Sequence, residues 1–400
     1  MKKTFNRQRI TVITAMGMGV LASSIIRPIL PLYLTSIGVS PRVLGLMFSM
    51  AMVGMVFGEI SWGWVADQIG IKLPLSVGTV LGGVAILFFA LTQNIPALFI
   101  VFLFWGLTRS ALFGPGRGYI GAGASSSNKA ASMAIIAVIL SASRSFGALP
   151  SGYIADAWGY QSVFYVACGV ALIGYFILLF GLKKVPSVDL KEKVATSPSP
   201  NTLSLSFFRP LAPLCVITFL QFLGFGIIGT FLPLLASQVI GGISASEIGV
   251  LFASAGLVSM LLGVPMGILA DRAGKKLLML LGLLISGTAM TGMAFSGNYT
   301  WLIIFAIIQS IGMAMFSPAS LGWLSDSVPH QQQSTAMGAY GGLCEDTGII
   351  AGAALGGIIW SAWGPQSTFL MGTLASILGV AIGLFFIKKI VPSQDIEAKT

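Results

Sequence analysis

"GWVADQIGIK" occupies residues 63–72 and "GILADRAGKK" residues 267–276, so the chain writes nearly the same ten residues twice, 204 positions apart, each time closing a long apolar run. The glycines in each copy permit a tight turn and close helix approach. Working outward from these two stretches means asking what the apolar runs are and why they come in two matching sets.

Of 400 residues, 56% are hydrophobic and only 8% charged, against roughly 25% charged in a soluble domain. The composition is that of an integral membrane protein. Apolar runs recur from near residue 10 to residue 387, each around 20 residues and long enough to cross a hydrocarbon core of about 30 Å. Twelve such runs lie at about 10–37, 43–66, 73–93, 96–118, 130–155, 161–182, 210–239, 245–270, 276–296, 299–325, 333–361 and 367–388. Helices satisfy every backbone group internally, whereas a barrel would show short alternating segments, so the expected class is an all-α membrane bundle. The 50 glycines fit that class, because small residues let helix backbones approach closely.

Twelve crossings with a cytoplasmic N-terminus place Lys2, Lys3, Arg7, Arg9, Lys72, Lys129, Lys183, Lys184, Lys191, Lys193, Lys275, Lys276, Lys388 and Lys389 on one side, while the outer loops hold only Arg42. That asymmetry follows the positive-inside rule and puts both termini in the cytoplasm, in the plasma (cytoplasmic) membrane. It also accounts for the net charge of +10 without nucleic acid as a partner. The first run is too long for a signal peptide and lacks a small-residue cleavage site, so it reads as a retained helix. Cys168, Cys215 and Cys344 all fall within runs and suggest packing residues rather than disulfides or a metal cluster.

The longest polar stretch, residues 183–209, is rich in Ser, Pro and Lys and reads as a cytoplasmic linker. It separates an N-terminal six-helix bundle, 1–182, from a C-terminal one, 210–400. Other pairs recur at nearly the same offset: "WGYQSVF" at 158–164 with "WGPQSTF" at 363–369, and "GALPSG" at 147–152 with "GAALGG" at 352–357. Two repeats of the same orientation give bundles related by an axis along the membrane normal, with a central site between them, the geometry of alternating access.

At this point the sequence resembles the major facilitator superfamily over essentially its full length. The resemblance rests on that family's G-x-x-x-D-[RK]-x-G-[RK]-[RK] loop signature, present as Gly63, Asp67, Gly70 and Lys72, and again as Gly267, Asp271, Arg272, Gly274, Lys275 and Lys276. The first copy departs from the pattern with Gln68 and Ile71 where cations are usual. By the resemblance these loops form a cytoplasmic gate: each aspartate would accept hydrogen bonds from a facing helix N-terminus, where the macrodipole favours negative charge. Asp67 would meet the start of the eleventh helix near Ser334, and Asp271 the start of the fifth near Ala130.

Six ionisable residues fall inside the runs: Arg27, Glu59, Arg109, Arg144, Glu345 and Asp346. At roughly 2.5 to 3.5 kcal/mol each near a helix centre, an unpaired lipid-facing set would cost on the order of 15 to 20 kcal/mol, more than a typical fold's net stability. They must face a cavity or each other. Counting about 1.5 Å per residue puts Arg109, Arg144, Glu345 and Asp346 near the midplane, Arg27 toward the outside and Glu59 toward the cytoplasm. In the family the first, fourth, seventh and tenth helices line the cavity and the second, fifth, eighth and eleventh flank it, and all six charges fall on these.

Arg27, Arg109 and Arg144, with Gln221, Gln309 and Tyr33, are therefore the candidate solute-contacting residues. Fixed ion pairs between these arginines and the second-half acids are the competing role. Glu59, Glu345 and Asp346 are the candidates for proton coupling, since a carboxylate's proton affinity rises in a dry site and falls beside a guanidinium. Glu345 and Asp346, being consecutive, lie about 100° apart on an α-helix and would not face one point. Trp158, Trp301 and Trp363 read as interface anchors at run ends, and His330 as a solvated loop residue. The absence of phosphate-binding, zinc-protease and nucleophile-elbow motifs argues against a pump driven by ATP or an intramembrane hydrolase.

"SSIIRPILPLYL" in the first run, with Pro28 and Pro31, resembles the drug and metabolite efflux branch of the family. The fifth run departs from that branch's Gly-Pro pair, having Gly147-Ala148 and a displaced Pro150, and Arg109 follows Gly106 rather than preceding a glycine. The resulting expectation is a non-enzymatic, cofactor-free secondary transporter, monomeric in the lipid bilayer. It would move a small organic solute by alternating access, coupled to protons, with efflux favoured. Organic-anion exchange or uptake is the alternative, since guanidinium forks pair bidentately with carboxylates and phosphates. Lipid scrambling or ligand sensing without transport is the alternative from another class.

Overall fold

The computed structural model describes residues 2–122, 129–182, 211–328 and 333–387. The linker at 183–209 and His330 lie outside the described residues. Among the described residues every regular element is helical: α1 Lys2–Ile26, α2 Leu30–Ser36, α3 Pro41–Ile69, α4 Lys72–Leu91, α5 Ile95–Ala122, α6 Lys129–Trp158, α7 Tyr160–Gly181, α8 Ala212–Leu234, α9 Ala245–Ala273, α10 Lys275–Ala294, α11 Tyr299–Ser327, α12 Gln333–Tyr340 and α13 Thr347–Phe386. Short π-helical turns extend α8 (Leu235–Ile240) and join α12 to α13 (Gly341–Asp346).

Ten segments are long and apolar enough to cross a membrane. One of them, Ala336–Phe386, runs 51 residues and breaks at Gly364, whose φ of 86° ends one helix and starts the next. With α6 in the place of the fifth run, each of the twelve expected runs has a helical counterpart among the described residues. The chain is an all-α integral membrane protein.

The duplication read in the sequence reappears as matching backbone. Gly70 and Gly274, the last glycines of the two decapeptides, have φ of 87° and 101°. Gly159 and Gly364, from the paired "WG" stretches, have φ of 80° and 86°. These conformations cost a side-chain-bearing residue steric strain, which is why glycine stands at each.

Two compact units emerge, Met1–Thr196 with Pro233–Leu257 and Ser197–Leu232 with Val258–Thr400. Each is held by the same device. In a membrane the lipid is as apolar as the side chains, so helix association depends on close packing rather than on hiding apolar surface from water. In the first unit Gly106 of α5 lies so close to the Ala51 carbonyl of α3 that a Cβ there would sit 1.8 Å from it, and Gly78 of α4 lies against the Thr108 carbonyl. In the second, Gly282 of α10 lies against the Gly312 carbonyl of α11, a pair offset from Gly78 and Thr108 by 204 residues each. Gly147 on the Leu21 carbonyl and Gly352 on the Leu223 carbonyl repeat the pattern once more.

Aromatic side chains fill the gaps between these contacts in the first unit. Phe89 meets Phe102 edge-on at 4.9 Å and Trp105 at 5.8 Å, and Tyr33 meets Phe164 at 5.1 Å. Polar hydroxyls within the spans bond back to their own helix, as Ser23 does to the Gly19 carbonyl and Thr79 to the Leu75 carbonyl, so they cost little in lipid. Trp158, Trp301 and Trp363 are 72%, 53% and 71% exposed, as anchors at span ends would be.

Candidate functional site

Three arginines lie near one another in the first unit, Arg27 and Arg109 half-buried and Arg144 exposed. α1 stops at Ile26 and the chain resumes helically at Leu30, because Pro28 offers no N–H to continue the ladder and Pro31 sits in the first turn of α2. Arg27, half-buried, occupies that break. Contacts along α1 set the register of its neighbours: Gly19 lies against Leu112 of α5, and Gly147 of α6 against Leu21 and Ser24. At about 1.5 Å per residue, Arg109 comes level with about Ala22 and Arg144 with about Val20, in the last third of α1, and all three arginines fall within roughly 10 Å along its axis.

Arg109 and Arg144 both stand near enough to repel Arg27 electrostatically. The Arg109 guanidinium lies 5.2 Å over the Trp105 ring, a cation–π contact, and its Nη2 points to the Met55 sulfur at 3.0 Å. A narrow cleft between α1, α4 and α5 brings Arg109 together with Ser23, Thr79 and Trp105. Glu59 of α3 is half-buried, one turn from Met55.

The uncharged candidates pack inside their own bundles. Tyr33 is buried against Tyr160 and Phe164 of α7, and its hydroxyl has no hydrogen-bond partner among the described residues. Gln221 of α8 is buried, its Nε2 donating to Ser286 Oγ of α10 at 2.9 Å and lying 3.6 Å from the Met313 sulfur of α11. Gln309 is 5% exposed, and the amide oxygens of Gln221 and Gln309 are both buried without hydrogen-bond partners among the described residues. In the conformation seen, all three side chains are buried.

Glu345 and Asp346 close the π-helical turn Gly341–Asp346, and both are half-buried. A π-helix closes its hydrogen bonds at i→i+5, so each residue advances by somewhat less than the roughly 100° of an α-helix, too small a change to turn the two consecutive side chains to one point. Such turns are frequent at functional sites. The turn is anchored just before its start by Tyr340, whose hydroxyl shares a 2.6 Å hydrogen bond with Thr218 of α8.

The two signature loops use their cations within their own unit. Lys72 Nζ donates to the Leu179 carbonyl at the end of α7 (3.4 Å), and Lys276 Nζ to the Leu384 and Ile387 carbonyls at the end of α13 (3.1 and 2.5 Å). Each lysine thus satisfies orphan carbonyls and opposes the negative pole of a helix C-terminus. Lys275 bonds Asp326 of α11 at 2.6 Å and the Gly322 carbonyl at 3.3 Å, with Asp271 at 3.6 Å.

Asp271 and Arg272 are exposed. The side chains of Asp67, Ala130 and Ser334, named for the gate contacts, lie outside the described residues. In the conformation seen, among the described residues, Gly63 has nothing within 4 Å of an added Cβ and Gly267 only ordinary contact with Pro318; Gly70 and Gly274 make the turns.

Sequence reasoning missed Asp156. Near the end of α6, its Oδ1 accepts from the Ala245 N–H at 3.0 Å and its Oδ2 from the Ser246 N–H at 2.8 Å, at the N-terminus of α9. A carboxylate-to-helix contact of the kind expected of Asp67 and Asp271 is observed here. The partner lies 89 residues away in the chain, and the one local signal was an acid at a run end.

The Major Facilitator Superfamily model matches residues 12–241 and again 214–400. The chain is 25% identical to Multidrug resistance protein MdtG of Escherichia coli O9:H4 (strain HS), over 365 residues covering 88% of this chain and 87% of the relative. It is 26% identical to the same-named protein of Escherichia coli (strain K12 / DH10B), over 364 residues with the same coverage. Among solved structures it is similar in fold to the nucleoside transporter NupG, with a TM-score of 0.80 at 14% identity, covering 96% of this chain and all of that one. It is also similar to a bacterial homolog of the human lysosomal transporter Spinster, inward-facing and occupied, with a TM-score of 0.79 at 14% identity, covering 94% and 96%. A repeat that is visible in sequence, turns and helix contacts, and a family match over nearly every residue, lead to one conclusion: the chain belongs to the Major Facilitator Superfamily and is a transporter of small solutes, not an enzyme.

Proposed function

We propose that the chain is a secondary active transporter that exports a small organic solute by alternating access, coupled to protons, with six-helix bundles 1–182 and 210–400 as the moving parts. The membrane is the cytoplasmic one, with both termini inside. The observation that carries this reading is the set of ionisable residues within the spans. Arg27, Glu59, Arg109, Glu345 and Asp346 are each only partly exposed, on the lining and flanking helices where a polar path runs. Placing them costs several kcal/mol that a purely structural bundle has no reason to bear.

Glu59, Glu345 and Asp346 are the proposed proton carriers. Glu345 and Asp346 stand side by side in a π-helical turn, a feature frequent at functional sites. Export is supported by the name of the MdtG relatives and by the paired prolines of the first span. Asp67 and Asp271 are proposed to latch the cytoplasmic side in the opposite conformation.

One observation favours a second reading, exchange or uptake of an organic anion. Arg27, Arg109 and Arg144 lie near one another in the first unit, and guanidinium groups bind carboxylate and phosphate oxygens in pairs. The test is a solute screen by thermal stabilisation of the purified protein, since a ligand that binds only the folded state raises its melting temperature. Hits are then assayed for exchange across proteoliposomes. Loss of anion stabilisation in R109A and R144A, with neutral hits unaffected, favours the second reading. Hits that stabilise the protein but never cross the bilayer would overturn transport in favour of sensing.

A further inference from the structure

The end of α6 and the start of α9 form a seam that none of the readings above uses. Gly152 of α6 approaches so closely that a Cβ would lie 2.0 Å from the Ala245 carbonyl; Gly249 of α9 lies against the Ala148 carbonyl, and Gly256 against Ser145. These pairs run in opposite directions along the two helices, so the seam is an antiparallel contact about three turns long, made by glycine on both sides. Asp156 stands one turn beyond Gly152, at the mouth of the seam.

A helix N-terminus has four N–H groups without an intrahelical partner. α9 begins with a reciprocal box: Glu247 N–H donates to Ser244 Oγ at 3.3 Å, and the Ser244 N–H donates to Glu247 Oε2 at 2.8 Å. That box leaves the N–H groups of Ala245 and Ser246, and these are the two that Asp156 takes. The cap of α9 is therefore complete only while α6 is docked, and the charge of Asp156 faces the positive pole of the helix dipole.

The geometry points to Asp156 as the outer latch of the transport cycle. It is a positioning residue that holds α9 against α6 while the pathway is closed at the extracytoplasmic end, and it releases α9 when that end opens. The inference rests on the alternating-access reading, in which α6 and α9 belong to different moving bundles. Separating them strips two N–H groups of their acceptor and opens the glycine seam to water, and both changes reverse on closure. The cytoplasmic end is proposed to use the same chemistry through Asp67 and Asp271, so the two ends would be latched in alternation by carboxylates on helix N-termini.

The seam is read by S145C, since Ser145 is 4% exposed and faces Gly256. In protein reconstituted in nanodiscs, a hydrophilic maleimide labels S145C only when the seam parts, with the chain's three native cysteines giving the background. Adding D156A is expected to raise the labelling rate at least fivefold, and D156E to return it toward the parent rate. An unchanged rate in D156A overturns the latch.

Because D156A could lose the fold, a second variant reads the same contact by locking it. D156C/S246C, cross-linked with a copper–phenanthroline oxidant, is expected to lose at least nine-tenths of solute exchange and recover it on reduction. Full exchange with the seam cross-linked also overturns the latch. If labelling changes as expected while the parent protein exchanges no solute, the latch stands as a conformational contact and the transport reading falls.

Discussion

The two decapeptide loops began as copies and now solve the same problem differently. Both turn on a glycine of positive φ, and both spend a lysine on the carbonyl end of the last helix of their half. They differ one residue earlier. Lys275 bridges Asp326 and Asp271, whereas the corresponding Ile71 is 3% exposed within an apolar cluster with Ala66, Leu75 and Leu112. The corresponding stretch for Asp326 in the first half, residues 121–123, reads Gly-Ala-Gly and carries no acid. The half with the cation has its acid and the other half has neither, so an ionic loop and an apolar loop support the same turn. What the two share is the turn and the cap; what differs is the way the loop is tied to its bundle.

The comparison breaks most severely if a cation is forced into the apolar loop. I71K places an ammonium among buried apolar groups with no acid in the matching stretch, and is expected to destabilise by about 3 kcal/mol or more. Thermal unfolding in detergent reads this as the largest drop in melting temperature of the set. A drop no greater than that of D326A would mean that the lysine reaches water and that the loops are interchangeable.

Next in size, G70V and G274V test the shared turn. Each puts a β-branched residue at positive φ, at about 1 to 3 kcal/mol, and nothing within 4 Å crowds an added Cβ at Gly274, so the loss there is conformational. Melting curves should show similar losses in the two variants. A loss confined to one of them would show that the turns are not equivalent.

Smaller effects separate the ionic tie from the cap. D326A removes a 2.6 Å pair whose acid is 47% exposed, so screening limits the loss to about 0.5 to 1 kcal/mol, shrinking as salt rises. A double-mutant cycle with K275I should recover most of that loss, since Ile is what the first half carries. Smallest are K276A and K72A, at a few tenths to about 1 kcal/mol. K276A is expected to be the larger, because Lys276 reaches two carbonyls and Lys72 one.

These particulars show what the sequence could convey. The runs, the turns at Gly70, Gly159, Gly274 and Gly364, and the lipid-exposed tryptophans were legible because each rests on a local signal: apolar length, a residue free at positive φ, an amphipathic ring. The helix break at Arg27 was written in Pro28 and Pro31. The π-helical turn was not, because Gly-Gly-Leu-Cys-Glu-Asp carries no feature that separates i→i+5 from i→i+4 bonding. Nor was the inward packing of Gln221 on Ser286, which depends on helix rotation. Asp156 escaped because its chemistry exists only with a helix start 89 residues downstream. Charges in lipid were legible as a cost, but which partner offsets each cost depends on tertiary approach.

The central claim is coupled movement of a solute, and accumulation under an imposed pH gradient tests it most directly. Purified protein is reconstituted in liposomes whose pH differs across the bilayer, and uptake of a solute found by thermal stabilisation is followed in time. Coupled transport gives accumulation above the outside concentration that collapses on adding a protonophore and is absent in liposomes without protein. Equilibration that never exceeds the outside concentration and ignores the protonophore would contradict it.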